Sequence, residues 1–420
     1  MDEFTFHRHR LENGLVLLHH ENSTVPLVSL NVFLLGGKDQ NPPDRPGLST
    51  FVARMLDEGT RRRDHLALSA ELEGMGAEMH TFSEREVSGI CMTVLSQHLP
   101  RGMAVVAEIL REPAFPADRV EKQRALILEH LRATAEDPEL RGSQALNRVL
   151  YSGTPLAEPT LGTPEAIRSV TAAELAEFHR RCYGPAGTYV VVVGDVDFSR
   201  AIELTEEHFG AWTNPDQVRQ TVGPIPESSR GAWLWDPLER EQVHVFVGCL
   251  GLDRRSPDYY AARVLDAVLG GGNGFVSRIP RLLRDELGLA YVTYTDLSSS
   301  AGIFPGRFIG YVATGPEHWR EAHDVLISEI ERFCEEGPTP EEVELAYKFL
   351  TGSFPFEFSS NLSIARLLLA MEVFDLGDDF PARFPSLIAE VTPEQVRKVA
   401  ARYLNPINYT TVVVGTTAEL

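Results

Sequence analysis

Two stretches of this chain share one design. VTAAELAEFHRRCYGPAGTYVVVVG, residues 170 to 194, aligns without a gap on VTPEQVRKVAARYLNPINYTTVVVG, residues 391 to 415. Each opens on a threonine suited to cap a helix (Thr171, Thr392), continues as an amphipathic helix, breaks near Pro185 or Pro406, and closes on a valine-rich strand ending at Gly194 or Gly415. A repeat on this scale constrains the fold more than any other feature, because the architecture of one half must serve the other. The halves also begin alike. VPLVSLNVFLLGG (25–37) and REQVHVFVGCLGL (240–252) alternate as strands, and each precedes a helix, GLSTFVARMLDEGT (47–60) in one case and DYYAARVLDAVLGGG (258–272) in the other. TNPDQVRQTVGPIPESSRGA (213–232) lacks apolar periodicity and reads as the join. The expectation is an α+β chain of two structurally similar domains, 1–215 and 216–420, each a mainly antiparallel sheet packed with helices.

Charge narrows the choice of partner. A formal net charge of -21 argues against sequence-independent binding to nucleic acid and against anionic lipid surfaces, both of which call for clustered Lys and Arg. Cys91, Cys182, Cys249 and Cys334 form no CxxC pair, so zinc knuckles and dithiol chemistry are not expected; reduced thiols in the core are. MDEFTFHRHRLENG carries acids before any apolar run and does not read as a signal peptide. No stretch reaches the roughly 20 apolar residues of a membrane span. A cytoplasmic protein without membrane attachment is expected. His7, His9, His19 and His20 lack a third ligand nearby in sequence and read as packing or surface histidines.

The stretch 47–60 has the frame of a catalytic helix. Phe51, Met55 and Leu56 supply its apolar positions and Gly59 its stop. Positions 50, 53 and 54 share one face of a 3.6-residue helix, and they hold Thr50, Ala53 and Arg54, none of which suits a metal.

Taken in order, LENGLVLL (11–18), the 47–60 stretch, LSQHLPRGMAVVAEILREPAFP (95–116), PLAEPTLGTPEAIRSVT (155–171), LGGGNGFVSRIPRLLRDELGLAY (269–291) and the two repeat ends resemble the M16 (pitrilysin/insulinase) family of zinc peptidases. The resemblance implies the two-domain fold of that family, of the type shared with LuxS-like metallohydrolases. It also implies an HxxEH motif on the first helix, with two His as zinc ligands and the Glu as general base. Here the first His falls at Thr50, the Glu at Ala53 and the second His at Arg54, and the distal acidic ligand falls at His130, preceded by Glu129. One imidazole beside a fixed cation does not make a zinc site, so no metal is expected on this chain and zinc is expected in a partner. Arg54 is expected to be neutralised by Asp57 or Glu58, at i+3 and i+4.

From its second half the family contributes an Arg and a Tyr that donate hydrogen bonds to the substrate carbonyl. RDELGLAY places Arg284 and Tyr291 seven residues apart in the same motif. Two donors aimed at developing negative charge form an oxyanion hole; spacing alone reads instead as a surface charge and a core aromatic, and it is the family motif around them that favours the functional role. Gly270, Gly271 and Gly272 precede them without the GK[ST] of a phosphate loop, and either end a helix in close packing or approach substrate. The resemblance therefore implies the non-catalytic subunit of a heterodimeric zinc peptidase, with an HxxEH-bearing M16 partner and a peptide substrate. The alternative is an inactive peptide-binding or scaffold protein of the same fold.

Overall fold

A computed structural model describes residues 4–225, 231–271 and 277–416. Six strands, β1 (His7–Arg10), β2 (Val16–Glu21), β3 (Leu27–Leu35), β4 (Glu78–Ser83), β5 (Val87–Leu95) and β6 (Thr188–Gly194), form one sheet in the order β1-β2-β6-β3-β5-β4. Five more, β7 (Trp233–Pro237), β8 (Val243–Leu250), β9 (Val292–Asp296), β10 (Arg307–Thr314) and β11 (Thr410–Gly415), form a second in the order β7-β11-β8-β10-β9. Apart from the additional β1, the two orders are the same permutation. In each sheet one pair runs parallel, β2 with β6 and β7 with β11, and the other pairs run antiparallel. The α+β class and the two similar domains are as the repeat requires.

The repeat ends fold as their residues dictate. Thr171 and Thr392 each accept a hydrogen bond from the backbone three residues on, and Glu174 and Gln395 reach back to the threonine N–H, so both helices open on a capping box. Each helix delivers the chain into a central strand, β6 or β11, whose valines are buried on both faces.

Each compact unit borrows from the other half of the sequence. One comprises Met1–Arg132, Thr154–Gly223 and Phe356–Asp378; the other comprises Ala133–Gly153, Pro224–Pro355 and Asp379–Leu420. Where the sequence reading draws contiguous domains at 215/216, the chain passes from one unit to the other near 223 and exchanges two helical segments. Helix Asn361–Phe374 packs on β6 and β3 of the first sheet, and helix Pro138–Leu150 packs on β11 and β8 of the second. Close approach explains Gly142 in the latter: a Cβ there would stand 2.0 Å from the Phe246 ring.

Helix Leu48–Met55, against β4 and β5, and helix Leu99–Arg111, against β3 and β5, cover the first sheet and bury Phe51, Val52, Met55, Val106, Ile109 and Leu110 in its core. The four cysteines are free, and burial pushes their thiols up to about 11 at Cys334 and about 12 at the other three, which favours the neutral thiol. Among the described residues no helix is long and apolar enough to cross a membrane.

Candidate functional site

Helix Leu48–Met55 starts at Gly47, held at φ +86°, where a Cβ would fall 2.5 Å from the Leu161 carbonyl oxygen. Only glycine lets the two loops touch there. The helix ends earlier than the Gly59 stop expected from sequence. The N–H groups of Leu56 and Glu58 bond to the carbonyls of Ala53 and Met55, three residues back, and tighten the chain into turns.

That early end overturns the pairing expected for Arg54. Glu58 lies beyond the helix, so the i+4 geometry does not apply; its carboxylate instead accepts hydrogen bonds from Arg119 and Gln123. Asp57 makes no ion pair with Arg54 either, and burial pushes its carboxyl above the usual range. The contact Arg54 does make is with His130 on helix Ala117–Ala135, Nη2 to Nδ1 at 3.5 Å. Burial alone draws the Arg54 pKa down.

The donor set does not fit zinc. Thr50 is buried, with its hydroxyl committed to the Thr160 carbonyl at 2.7 Å, and Ala53 is 1% exposed and offers no lone pair. Arg54 directs an N–H toward the one imidazole nitrogen it faces. A guanidinium cannot accept, so in that contact only the Nδ1 lone pair can take the hydrogen bond. Among the described residues no three His, Cys, Asp or Glu side chains gather as a metal set. The N-terminal histidines serve packing instead: His19 Nε2 lies 2.9 Å from the Val196 carbonyl, and His9 pairs with Glu206.

The second candidate region sits in the other unit. Arg281–Glu286 winds wider than an α-helix, with Leu287 N–H bonding to the Leu282 carbonyl five residues back. Gly288 at φ +65° turns the chain, and Leu289 and Ala290 bond back to the Leu283 carbonyl before β9 begins. Arg284 rides on this turn with its guanidinium on Asp285, Nε to Oδ1 at 2.8 Å. The Asp285 hydrogen bond chiefly raises the Arg284 pKa, and the charges of Asp285 and Tyr291 add to it. Tyr291, just before β9, is 81% exposed. Tyr291 is thus accessible, and Arg284 is partly exposed with its guanidinium committed to Asp285.

Helix Tyr259–Leu269 ends at Gly270, whose N–H bonds to the Asp266 carbonyl. A Cβ on Gly270 would meet Thr295 Oγ1 at 2.5 Å, so its bare Cα serves the packing of this helix end on β9. Gly271 bonds to the same carbonyl; Gly272 lies outside the described residues.

Sequence reasoning missed Asp266. Its buried carboxylate accepts from the N–H groups of Leu297 and Ser298, at 2.8 and 2.9 Å, and from the Ser298 hydroxyl. It thereby ties the helix end before the glycines to the turn after β9. Burial, and then the charge of Asp296, raise its pKa to about 7. An acid within the apolar run VLDAVL was the available signal.

Two repeated α+β halves, the first keeping a helix of the metal-peptidase frame with Thr50, Ala53 and Arg54 at its donor positions, define a two-domain peptidase-type fold. Comparison with known proteins gives the family. Residues 16–164 match the family described as Insulinase (Peptidase family M16), and residues 169–350 match the Peptidase M16 inactive domain. The chain belongs to the M16 family. It is 28% identical over 407 residues to an uncharacterized zinc protease of Streptomyces coelicolor, covering 94% of this chain and 86% of that protein. An uncharacterized zinc protease of Mycobacterium tuberculosis is 27% identical over 412 residues, covering 97% and 92%. Among solved structures, a peptidase M16 inactive domain from Pseudomonas fluorescens superposes with a TM-score of 0.90 at 24% identity, over 99% of both chains. A protease from Helicobacter pylori superposes at 0.89 and 16% identity, over 98% of this chain and 99% of that one.

Proposed function

We propose that this chain is the non-catalytic, cytoplasmic subunit of a heterodimeric M16 zinc peptidase, and that Arg284 and Tyr291 serve the active site of an HxxEH-bearing partner. One contrast carries the reading: the positions for metal and general base hold Thr50, Ala53, Arg54 and His130, while the motif RDELGLAY keeps both donors on an accessible turn. Zinc, held by the partner, would supply Lewis-acid activation of the attacking water. This chain's part is electrostatic. The Arg284 guanidinium and the Tyr291 hydroxyl donate to the substrate carbonyl oxygen as it becomes an oxyanion, and Asp285 keeps the guanidinium fork oriented until substrate arrives. An extended peptide would be recognised through its backbone at a sheet edge.

The test captures the chain from its own cell with whatever it binds and assays peptide cleavage. It then repeats the assay with the purified partner and Arg284→Ala or Tyr291→Phe. Each substitution is expected to lower kcat by about a hundredfold, and activity unchanged by both overturns the proposal. The scaffold reading draws on one observation, that Asp285 already occupies the Arg284 fork. It predicts stable association without cleavage by any captured mixture.

A further inference from the structure

β2 and β7 hold the same place in the two sheets, each parallel to the closing strand of its half, β6 or β11. Their surroundings differ. In the first sheet β1 lies antiparallel along the outer side of β2, helix Phe198–Phe209 packs against β2, and the first four residues of β2 are buried. Among the described residues no strand lies outside β7, and none of its five residues is buried; Trp233 is 49% exposed. Thr411 N–H bonds to the Ala232 carbonyl and Leu238 N–H to the Gly415 carbonyl, so the even-numbered residues of β7 face β11. By the alternation of a strand, the N–H groups of Trp233 and Trp235 and the carbonyls of Trp233, Trp235 and Pro237 point to the open side. An uncovered edge of this kind is a template for one more strand.

The side chains beside the edge say what kind of strand fits. The rings of Trp233 and His323 lie 4.9 Å apart, and with Trp319, Arg320 and Asp324 they line a hollow of about 330 Å³, room for one large apolar side chain. Glu321 and Asp324 are exposed on the same helix, Trp319–Glu336, and the chain carries a net charge of -21. A basic strand answers that charge, whereas a second copy of this acidic chain does not. β1 shows the pattern in the first sheet: while its backbone covers β2, Arg8 pairs with Glu372 and Asp378, and His9 with Glu206. In the sheet order β7 stands four strand spacings, roughly 19 Å, from β9 at the other edge, which follows the Arg284–Tyr291 turn. The occupant is therefore a docked partner and not the peptide under cleavage. We propose that the outer edge of β7 is a docking site for an extended basic segment of a partner protein, added antiparallel to β7 as β1 is to β2, with a large apolar side chain seated between Trp233 and Trp319. This requires neither a metal nor Arg284 and Tyr291.

The chain supplies its own probe, a fluorescent peptide FTFHRHRL copied from residues 4–11, which is basic and carries two phenylalanines. The full chain is titrated with this peptide and with the same residues in scrambled order, and backbone hydrogen exchange is followed with and without it. The ordered peptide should bind about tenfold tighter than the scrambled one, and the amides of Trp233 and Trp235 should gain protection while those of Val16–Glu21 do not change. Trp233→Pro removes one outward N–H at a position where an edge strand tolerates proline, and should weaken binding about tenfold. Should that variant fail to fold, Asp324→Arg, at an exposed helix position, should weaken binding several-fold. Equal binding of the two peptides, no binding, or protection at Val16–Glu21 instead of β7 overturns the proposal. A concentration-dependent dimer of the chain alone that Trp233→Pro abolishes overturns it too, since the occupant is then a second copy.

Discussion

Replacing Asp266 with Asn should change how stability depends on pH, and the structure sets the size of the effect. The carboxyl titrates at about 7 in the folded chain against an ordinary value of 3.8, because it is buried and faces the charge of Asp296. An acid with a raised native pKa binds its proton more tightly when folded. Its stabilising contribution is therefore complete below about pH 4 and is lost as pH rises through about 7. At about 1.4 kcal/mol per pH unit over about 3 units, the wild type forfeits on the order of 4 kcal/mol between pH 4 and pH 8 on this account. Asn keeps a carbonyl acceptor for the Leu297 or Ser298 N–H but cannot ionise, so Asp266→Asn should show a stability curve flatter by about that amount. Denaturant unfolding at half-unit pH steps measures it, with the two proteins compared at each pH so that groups not interacting with Asp266 cancel. Curves that run parallel from pH 4 to pH 8 would refute the assignment.

Two glycines in helices of the second unit should respond to alanine with opposite signs in thermal unfolding. Gly142→Ala drives a methyl into the Phe246 ring and should cost about 1–3 kcal/mol, whereas Gly352→Ala meets nothing within 4 Å and should stabilise by about 0.5–1 kcal/mol. The combined variant T50H/A53E/R54H/H130E should bind about one zinc per chain after dialysis, measured by elemental analysis, because the Arg54–His130 contact shows that the two helices already approach closely enough to share an ion; a variant that folds as the wild type and holds no zinc would show that the frame itself has drifted.

The duplicated fold was legible because strand and helix periods survive in both copies, and the capping threonines, the break at each proline and the terminal glycines fall where the alignment places them. The helix exchange was not. Periodicity tells that Pro138–Leu150 and Asn361–Phe374 have apolar faces, but not which sheet receives them, and contiguity is the wrong guide when two similar sheets are available. The erased metal positions were readable residue by residue, whereas the fate of Arg54 was not, since an i+4 argument presumes a helix that continues and this one stops at Met55. Asp266 escaped notice because a single acid within an apolar run gives no hint of two backbone N–H groups thirty-odd residues further on.

The replaced positions also bear on whether the metal corner merely decayed. Phe51, Val52 and Met55 carry the helix into the core, and Thr50 bonds to the Thr160 carbonyl, so the helix is retained for reasons that have nothing to do with a metal. Loss of ligands alone would have left a neutral corner. Instead a guanidinium stands 3.5 Å from the one remaining imidazole. A divalent ion on that imidazole would also meet the positive charge of the neighbouring guanidinium. A single histidine does not offset that. The corner therefore carries a fixed positive charge where the family's motif places a metal ligand, a reversal that follows from one side chain.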